Sequence, residues 1–348
     1  MHAQNGHGPP VASAVLRIAA GAVVLALLVM AAGPERLAEH LTELSPQWLG
    51  LAAVLYAGSI VLRGVRLWLM IAARVERGDW TRASAITVFS LSLNGLLPFR
   101  MGDISRLFLL ATGMGITLRD GMLVTIIERW FDVAVLLAAL AAGLSLQYFA
   151  AEGGGAATTL AYTAVIPLVA VAMVLVVPAR WPATVTALAR LPFVGLLPGA
   201  MRRALPAALN AYRDAVAAYV QWWRWLVNAG LTGAIWGIQL LEYGVLFNAM
   251  GMLPPPSTLV AGFCLFMFTF AVNFIPGQVG TYEALFVASF GIAGMNEPHE
   301  TLALAITIHV VNTLLLALLG AFAYLHIDVD WADLRYWWRH RELRAVQR

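Results

Sequence analysis

Long apolar runs alternate with short polar breaks along this chain. Val11 to Ala32, Trp48 to Ala73, Thr117 to Phe149, Ala157 to Val177, Leu226 to Met250 and Leu302 to Leu325 are long enough to span, with few charges inside them. A helix of about 20 such residues crosses a hydrocarbon core. Two further apolar stretches are broken in the middle. Ala83 to Leu97 and Ile104 to Gly113 flank Pro98–Gly102; Leu259 to Phe274 and Thr281 to Ala293 flank Pro276–Gly280. None of these four arms spans alone, so each pair suits a re-entrant hairpin. Irregular backbone at membrane depth is tolerated only when buried in protein or lining a wet cavity. The pattern predicts an all-α polytopic membrane protein of about six transmembrane helices plus two re-entrant helical hairpins.

The two halves carry the same order of elements. Span, hairpin and span occupy Trp48 to Phe149 and again Leu226 to Leu325. Pro98 to Gly102 and Pro276 to Gly280 have equal spacing, and Arg129 with Asp132 corresponds to His309 with Asn312. The first hairpin (83–113) is expected to enter from the cytoplasm and the second (257–294) from outside, which makes the repeat inverted. Arg63, Arg66, Arg74, Arg77 and Arg82 mark the cytoplasmic side, because loops there collect Arg. Arg63 and Arg66 are expected to snorkel to that interface. Both termini then lie in the cytoplasm. The expected organisation is a disordered leader (1–10), a first membrane half (11–177), a cytoplasmic or interfacial connector (178–224), a second half (225–327) and a basic aromatic tail (328–348). Val11 to Ala32 reads as a retained helix rather than a cleaved signal, being long for a signal core and lacking a basic start.

Composition narrows the function classes. Hydrophobic residues make up 61% of the chain and the mean hydropathy is +0.78, which excludes an ordinary soluble domain. The short alternating segments of a barrel are absent. All the positive charge is Arg, with no Lys. This fits a GC-rich bacterial genome and hence a bacterial inner membrane. Basic residues in such a chain concern orientation and lipid headgroups, not nucleic acid. The single Cys264 excludes an internal disulfide and reads as a packing residue. No phosphate-binding loop, nucleophile elbow or clustered Cys/His spacing occurs. No cofactor or metal is expected, and ATP-driven pumping by this chain alone is disfavoured.

The candidate chemistry lies at the breaks. Asn94, Pro98, Arg100, Gly102, Asp103 and Arg106 are followed by Glu128, Arg129 and Asp132 on the next span. Charges at that depth are costly and point to function by default. Glu128 and Asp132 are four apart and share a helix face, so they repel unless a cation bridges them or one is protonated. Two compatible readings follow. In one, Arg100, Arg106 and Arg129 bind a lipid phosphate in a polar groove. In the other, the charges are an ion-pair cluster pinning the hairpin to the span. Asp103 reads first as the N-cap of the following helix, and otherwise as a direct contact to substrate. Asn273, Pro276, Gly277, Gly280, Thr281 and Glu283 form the second break. Glu283 sits where a first helical turn favours negative charge, or serves as a proton or amine acceptor. His309 is either a titrating group or a hydrogen-bonded packing residue. Glu242 has no evident partner.

Taken in order, Asn94, Leu97-Pro98, Gly102-Asp103 and Arg106, then Glu128-Arg129 and Asp132, then Ile275-Pro276-Gly277, Gly280-Thr281 and Glu283 resemble the lysylphosphatidylglycerol synthase transmembrane region family, also described as flippase-like. The resemblance covers about Val11 to Leu325. That family usually has Gly where Phe99 stands and often Glu where Asp103 stands. In its two-domain members the membrane domain precedes a soluble aminoacyl-transferase domain and is thought to move the aminoacylated lipid between leaflets. The resemblance therefore implies a lipid translocase or lipid-transport factor without the synthase, for a phospholipid, hopanoid or polyprenyl-linked lipid. It also implies membrane lipids as partners, and lipid-synthesis enzymes as further ones. Two rivals stand beside it. One is an integral-membrane transferase or hydrolase with Glu128 or Asp132 as general base. The other is a scaffold that recruits a lipid-synthesis enzyme.

Overall fold

The structure is a computed structural model, and it describes Met30 and residues 45–72, 79–97, 100–151, 222–270 and 275–327. Among these residues there are eight α-helices and no strands. They are α1 (Pro46–Ile71), α2 (Trp80–Leu96), α3 (Met101–Met114), α4 (Leu118–Ala151), α5 (Trp222–Ala249), α6 (Pro256–Phe270), α7 (Thr281–Ile292) and α8 (Pro298–Tyr324). A single 3₁₀ turn, Pro276–Gln278, separates α6 from α7. The all-helical expectation holds. The leader, the span from Val11, the return span from Ala157, most of the connector, the tail, Pro98 and Asn273 lie outside the described residues.

Local chemistry sets the helix ends. α1 and α8 each begin with a proline, whose missing N–H costs nothing in a first turn. Asp79 caps α2 by accepting from the N–H groups of Thr81 (2.9 Å) and Arg82 (3.2 Å). α2 stops at Leu97, extended at φ −106°, ψ 147°, as the residue before a proline prefers. α3 ends on Gly115 in the left-handed region, a common helix stop. Thr117 and Asp120 cap α4 reciprocally: the Asp120 N–H donates to Thr117 Oγ1 (3.1 Å), and that hydroxyl donates to Asp120 Oδ2 (2.9 Å).

Packing joins the halves in a reciprocal way. α1 packs on α5, α2 on α8, and α4 on α6. The first helix of one half thus meets the first of the other, and second meets fourth both ways. Within each half the broken arms also touch, α2 on α3 and α6 on α7. Small residues permit this closeness. A Cβ on Gly102 would sit 1.9 Å from the Ser90 carbonyl oxygen, and one on Gly320 would sit 2.3 Å from Ser92 Oγ. Two apolar cores result. One gathers Leu67, Ile86, Leu109, Val124 and Phe131. The other stacks Tyr243, Phe247, Phe266, Phe286 and Phe290.

The outer faces are apolar as well. Met122, Ile126, Val133, Leu137 and Leu144 form one exposed stripe on α4; Val310, Leu314, Leu318 and Phe322 form another on α8. Stripes of that size at helical spacing suit contact with lipid rather than water. α1 and α8 are each long and apolar enough to cross a membrane. α4 and α5 are as long and carry the buried polar groups described next.

A candidate site between the two halves

The carboxylate pair on α4 defines the geometry. Both Glu128 and Asp132 are buried, and their expected repulsion is resolved by two guanidinium groups. Arg106 of α3 donates to Glu128 Oε2 at 2.5 Å. Arg66 of α1 lies between the carboxylates. Its Nη1 donates to Asp132 Oδ1 at 2.7 Å and to Thr232 Oγ1 at 2.9 Å, and its Nε is 3.6 Å from Glu128 Oε1. Asp132 also receives Arg129 Nη1 at 3.2 Å and the Trp236 indole N–H at 3.1 Å. This network ties α1, α3, α4 and α5 into one buried knot.

Arg63 and Arg66 correct the sequence reading. Neither snorkels to an interface; Arg63 is 8% and Arg66 2% exposed. Both turn inward toward α5. Arg63 donates to Gln239 Oε1 at 2.7 Å and stacks over the Trp236 ring at 4.7 Å. Among the described residues no carboxylate lies within ion-pair distance of it. The signal for both was present in sequence. They interrupt an apolar span, and the rule applied to Glu128 and Asp132 applies equally to them.

Arg100 and Asp103 also depart from expectation. Arg100 does not bridge the α4 carboxylates; its Nε donates to Asp103 Oδ2 at 2.8 Å. Asp103 is not the N-cap of α3. Arg100 holds that position in the left-handed region, at φ 52°, so Asp103 falls in the first turn. There it accepts from Asn94 Nδ2 (2.8 Å), while its own N–H donates to Asn94 Oδ1 (3.1 Å). This reciprocal pair staples the two arms just where Gly102 lets them touch.

The second break is built differently. Gly277 and Gln278 both have positive φ, and Gly280 sits at φ 80°, a conformation that disfavours side chains. Thr281 Oγ1 donates to the Gln278 carbonyl at 2.9 Å. Glu283, in the first turn of α7, accepts from the Gly280 N–H at 2.7 Å and pairs through Oε1 with His309 Nδ1 at 2.7 Å. His309 stacks on Tyr282 at 4.3 Å between centroids. The Tyr282 and Tyr243 hydroxyls bond to each other at 3.1 Å. Glu242, without an evident partner in sequence, accepts from Asn312 Nδ2 at 2.8 Å.

Between these two constructions lies a cavity of about 260 Å³. Arg63, Arg100, Arg129, Asp132, Gln239 and His309 provide its polar lining; Leu91, Val133, Leu136, Phe266, Met267 and Leu316 provide apolar wall. Asn94 and Gln278 bring both breaks to its edge. Of the expected site residues, Arg100, Arg129, Asp132 and His309 face this space. Arg106, Glu128, Asp103 and Glu283 do not line it: Asp103 holds Arg100 and Glu283 holds His309, while Glu128 pairs with Arg106 and with Arg66. Chemically, the lining offers three guanidinium groups against one carboxylate that Arg66 and Arg129 already engage. It is suited to an anion with an apolar appendage. Among the described residues no three His, Cys or acidic side chains gather as metal ligands would.

Fold and site together define a polytopic α-helical membrane protein with a cationic polar cavity between two similarly ordered halves. Residues 14–320 match the family described as the lysylphosphatidylglycerol synthase TM region. The chain belongs to that family, and so is a membrane protein of a lipid-related family in contact with membrane lipids. No curated protein and no solved structure matches the chain significantly.

Proposed function

We propose that the protein moves a polar-headed lipid between the leaflets of a bacterial inner membrane. One observation carries this reading above the others. Arg63 is buried at the interface of the halves with no carboxylate within ion-pair distance among the described residues, and it lines a cavity that Arg100 and Arg129 also face. A buried cation with no counter-ion in direct contact is costly. A phosphate-bearing headgroup supplies the missing charge, and guanidinium forks match phosphate oxygens. The apolar wall suits the start of the lipid chains, whose remainder stays in the bilayer. Phospholipid, hopanoid and polyprenyl-linked cargo all fit this description when they carry an anionic group.

The two breaks then act as re-entrant hairpins of an inverted repeat. In such proteins the site lies near the midplane, and one half rocks against the other. Both termini are cytoplasmic in this reading. The test is leaflet exchange of headgroup-labelled lipids in proteoliposomes. Arg63→Gln keeps a hydrogen bond to Gln239 within reach and removes the charge. It is expected to slow exchange of anionic lipids at least tenfold while the protein still elutes as a folded species. Wild-type exchange that survives loss of charge at both Arg63 and Arg129 would sink the proposal. A chemically altered lipid product would move the assignment to a transferase or hydrolase.

A further inference from the structure

Glu242 is the carboxylate that the lipid site does not use. It lies on α5, a 28-residue helix, and is 0% exposed. No Arg or His pairs with it among the described residues. Its Oε1 accepts from Asn312 Nδ2 at 2.8 Å. Its Oε2 is buried without a hydrogen-bond partner, and so is Oδ1 of that same Asn312 amide. A buried polar atom left unpaired is costly, and two on one contact demand an account.

A single proton supplies it. A protonated carboxyl gains one O–H donor, and the carbonyl of the facing amide is the acceptor that lacks one. Acid and amide then close on two hydrogen bonds, N–H to Oε1 and O–H to Oδ1, and both orphans vanish together. A metal ion fits less well. Hard cations take six or more oxygens, and the neighbouring Tyr243 and Tyr282 hydroxyls already bond to each other.

The surroundings leave the proton in place. Tyr56 of α1, Tyr243 of α5 and Tyr282 of α7 are the phenols in electrostatic range of Glu242. Arg63 of α1 is held by Gln239 and Trp236. His309 of α8 is held by Glu283 of α7. Asp132 of α4 is held by Arg66 and Arg129. The thiol of Cys264 is what α6 contributes nearby, in the same core as Tyr243. None of these groups neutralises a bare Glu242 carboxylate by contact.

Asn312 lines the lipid cavity and Glu242 does not. The amide therefore stands as a door between the acid and the space the headgroup occupies. From this arrangement we infer that Glu242, closed by Asn312, is a proton-binding site through which the protein couples lipid movement to a transmembrane proton gradient. The bookkeeping is simple. The Glu242 Oε2–H bond breaks to water or to the headgroup in the cavity when Asn312 swings away, and it re-forms with a proton from the other side. No covalent bond to lipid changes. The coupling rests on the translocation reading above; the proton site itself does not.

Two measurements on the full chain separate the two. Infrared difference spectra in lipid nanodiscs read the protonated-carboxyl carbonyl band at neutral pH. The band is expected in wild type, shifted in Asn312→Ala and absent from Glu242→Gln. No band, or a band unchanged by Glu242→Gln, overturns the proton site. The second is lipid exchange in proteoliposomes of phosphatidylglycerol and phosphatidylethanolamine, with and without an imposed pH gradient. Wild type is expected to run several-fold faster with the gradient. Glu242→Gln keeps both hydrogen bonds to Asn312 and should fold with unchanged thermal stability, yet lose the gradient response. A response that persists in Glu242→Gln overturns the coupling, as does wild-type exchange indifferent to the gradient. Absence of any wild-type exchange overturns the coupling together with translocation, and the infrared band then decides the proton site alone.

Discussion

Arg66 offers the sharpest test of what holds the site together. Substituting it with Met keeps much of its volume and removes its charge. The variant loses the 2.7 Å bond to Asp132, the 2.9 Å bond to Thr232 and the 3.6 Å contact with Glu128. Breaking a buried ion pair from one side costs about 3–5 kcal/mol, because a charge stays behind without its partner. Here the survivors keep some support. Glu128 retains Arg106 at 2.5 Å, and Asp132 retains Arg129 at 3.2 Å and Trp236 at 3.1 Å. The expected loss therefore sits at the low end, about 3 kcal/mol. Arg66→Lys keeps the charge but not the fork that reaches two carboxylates and a hydroxyl, so it should recover only part of the loss. The assay is a double-mutant cycle of Arg66→Met with Asp132→Asn, read by reversible unfolding in bicelles. A coupling of about 2 kcal/mol or more is expected for neighbours in one network. A coupling near zero, with both single variants as stable as wild type, would refute the claim that this pair closes the knot.

Gly102→Ala should fail to fold, since its Cβ would meet the Ser90 carbonyl oxygen at 1.9 Å and backbone cannot yield; monodisperse elution at wild-type yield would contradict the close approach of α2 and α3. Asp79→Ala should cost about 1 kcal/mol through the lost cap of α2, seen as a small fall in melting temperature. The hydrogen bonds from the Thr81 hydroxyl and the Arg82 N–H hold the Asp79 carboxyl below its usual range. Its contribution is thus full above the unfolded carboxylate value and disappears as pH falls through the lower folded one; a wild-type minus Asp79→Ala difference that grows on acidification would contradict this. Arg63 with Gln239 should couple by about 1.5 kcal/mol, the low end for a hydrogen bond to a charged group. A cycle giving a larger value than Arg66 with Asp132 would reverse the order of strength argued here.

Much of the fold was legible because the bilayer demands so simple a pattern. Runs of apolar residues mark α1, α4, α5 and α8, and the prolines and glycines mark the breaks. Glu283 was placed in a first turn by position alone, and the structure puts it there. The misreadings share one cause, which is that partners distant in sequence are invisible to a local rule. Arg66 reaches Asp132 across 66 residues, and Trp236 reaches Asp132 across 104. A rule that sends Arg near a span end to the interface cannot know that a carboxylate waits inside. Asp103 was misread for a smaller reason. The left-handed turn at Arg100 starts α3 three residues earlier than a capping Asp103 would, and the partner that Asp103 takes instead, Asn94, lies on the other arm.

The polar contacts also divide in a way that bears on movement. Among the described residues every ion pair is internal to one half: Arg66, Arg100, Arg106 and Arg129 pair with acids of α3 and α4, and His309 pairs with Glu283. Between halves, Arg66 meets Thr232, Arg63 meets Gln239, Trp236 meets Asp132, and Gln147 meets Thr258 and the Ala293 carbonyl. Each of these has at least one neutral partner, and such bonds are weaker than hydrogen-bonded charge pairs. Where α2 and α8 meet, the surfaces are as small as Ser92 and Gly320. Separating the halves thus breaks no ion pair of this set, whereas opening the first half breaks several and opening the second breaks the His309–Glu283 pair. Buried charge, costly as it is in a membrane, ties helices within each half, while neutral hydrogen bonds and apolar packing join the halves around the cavity.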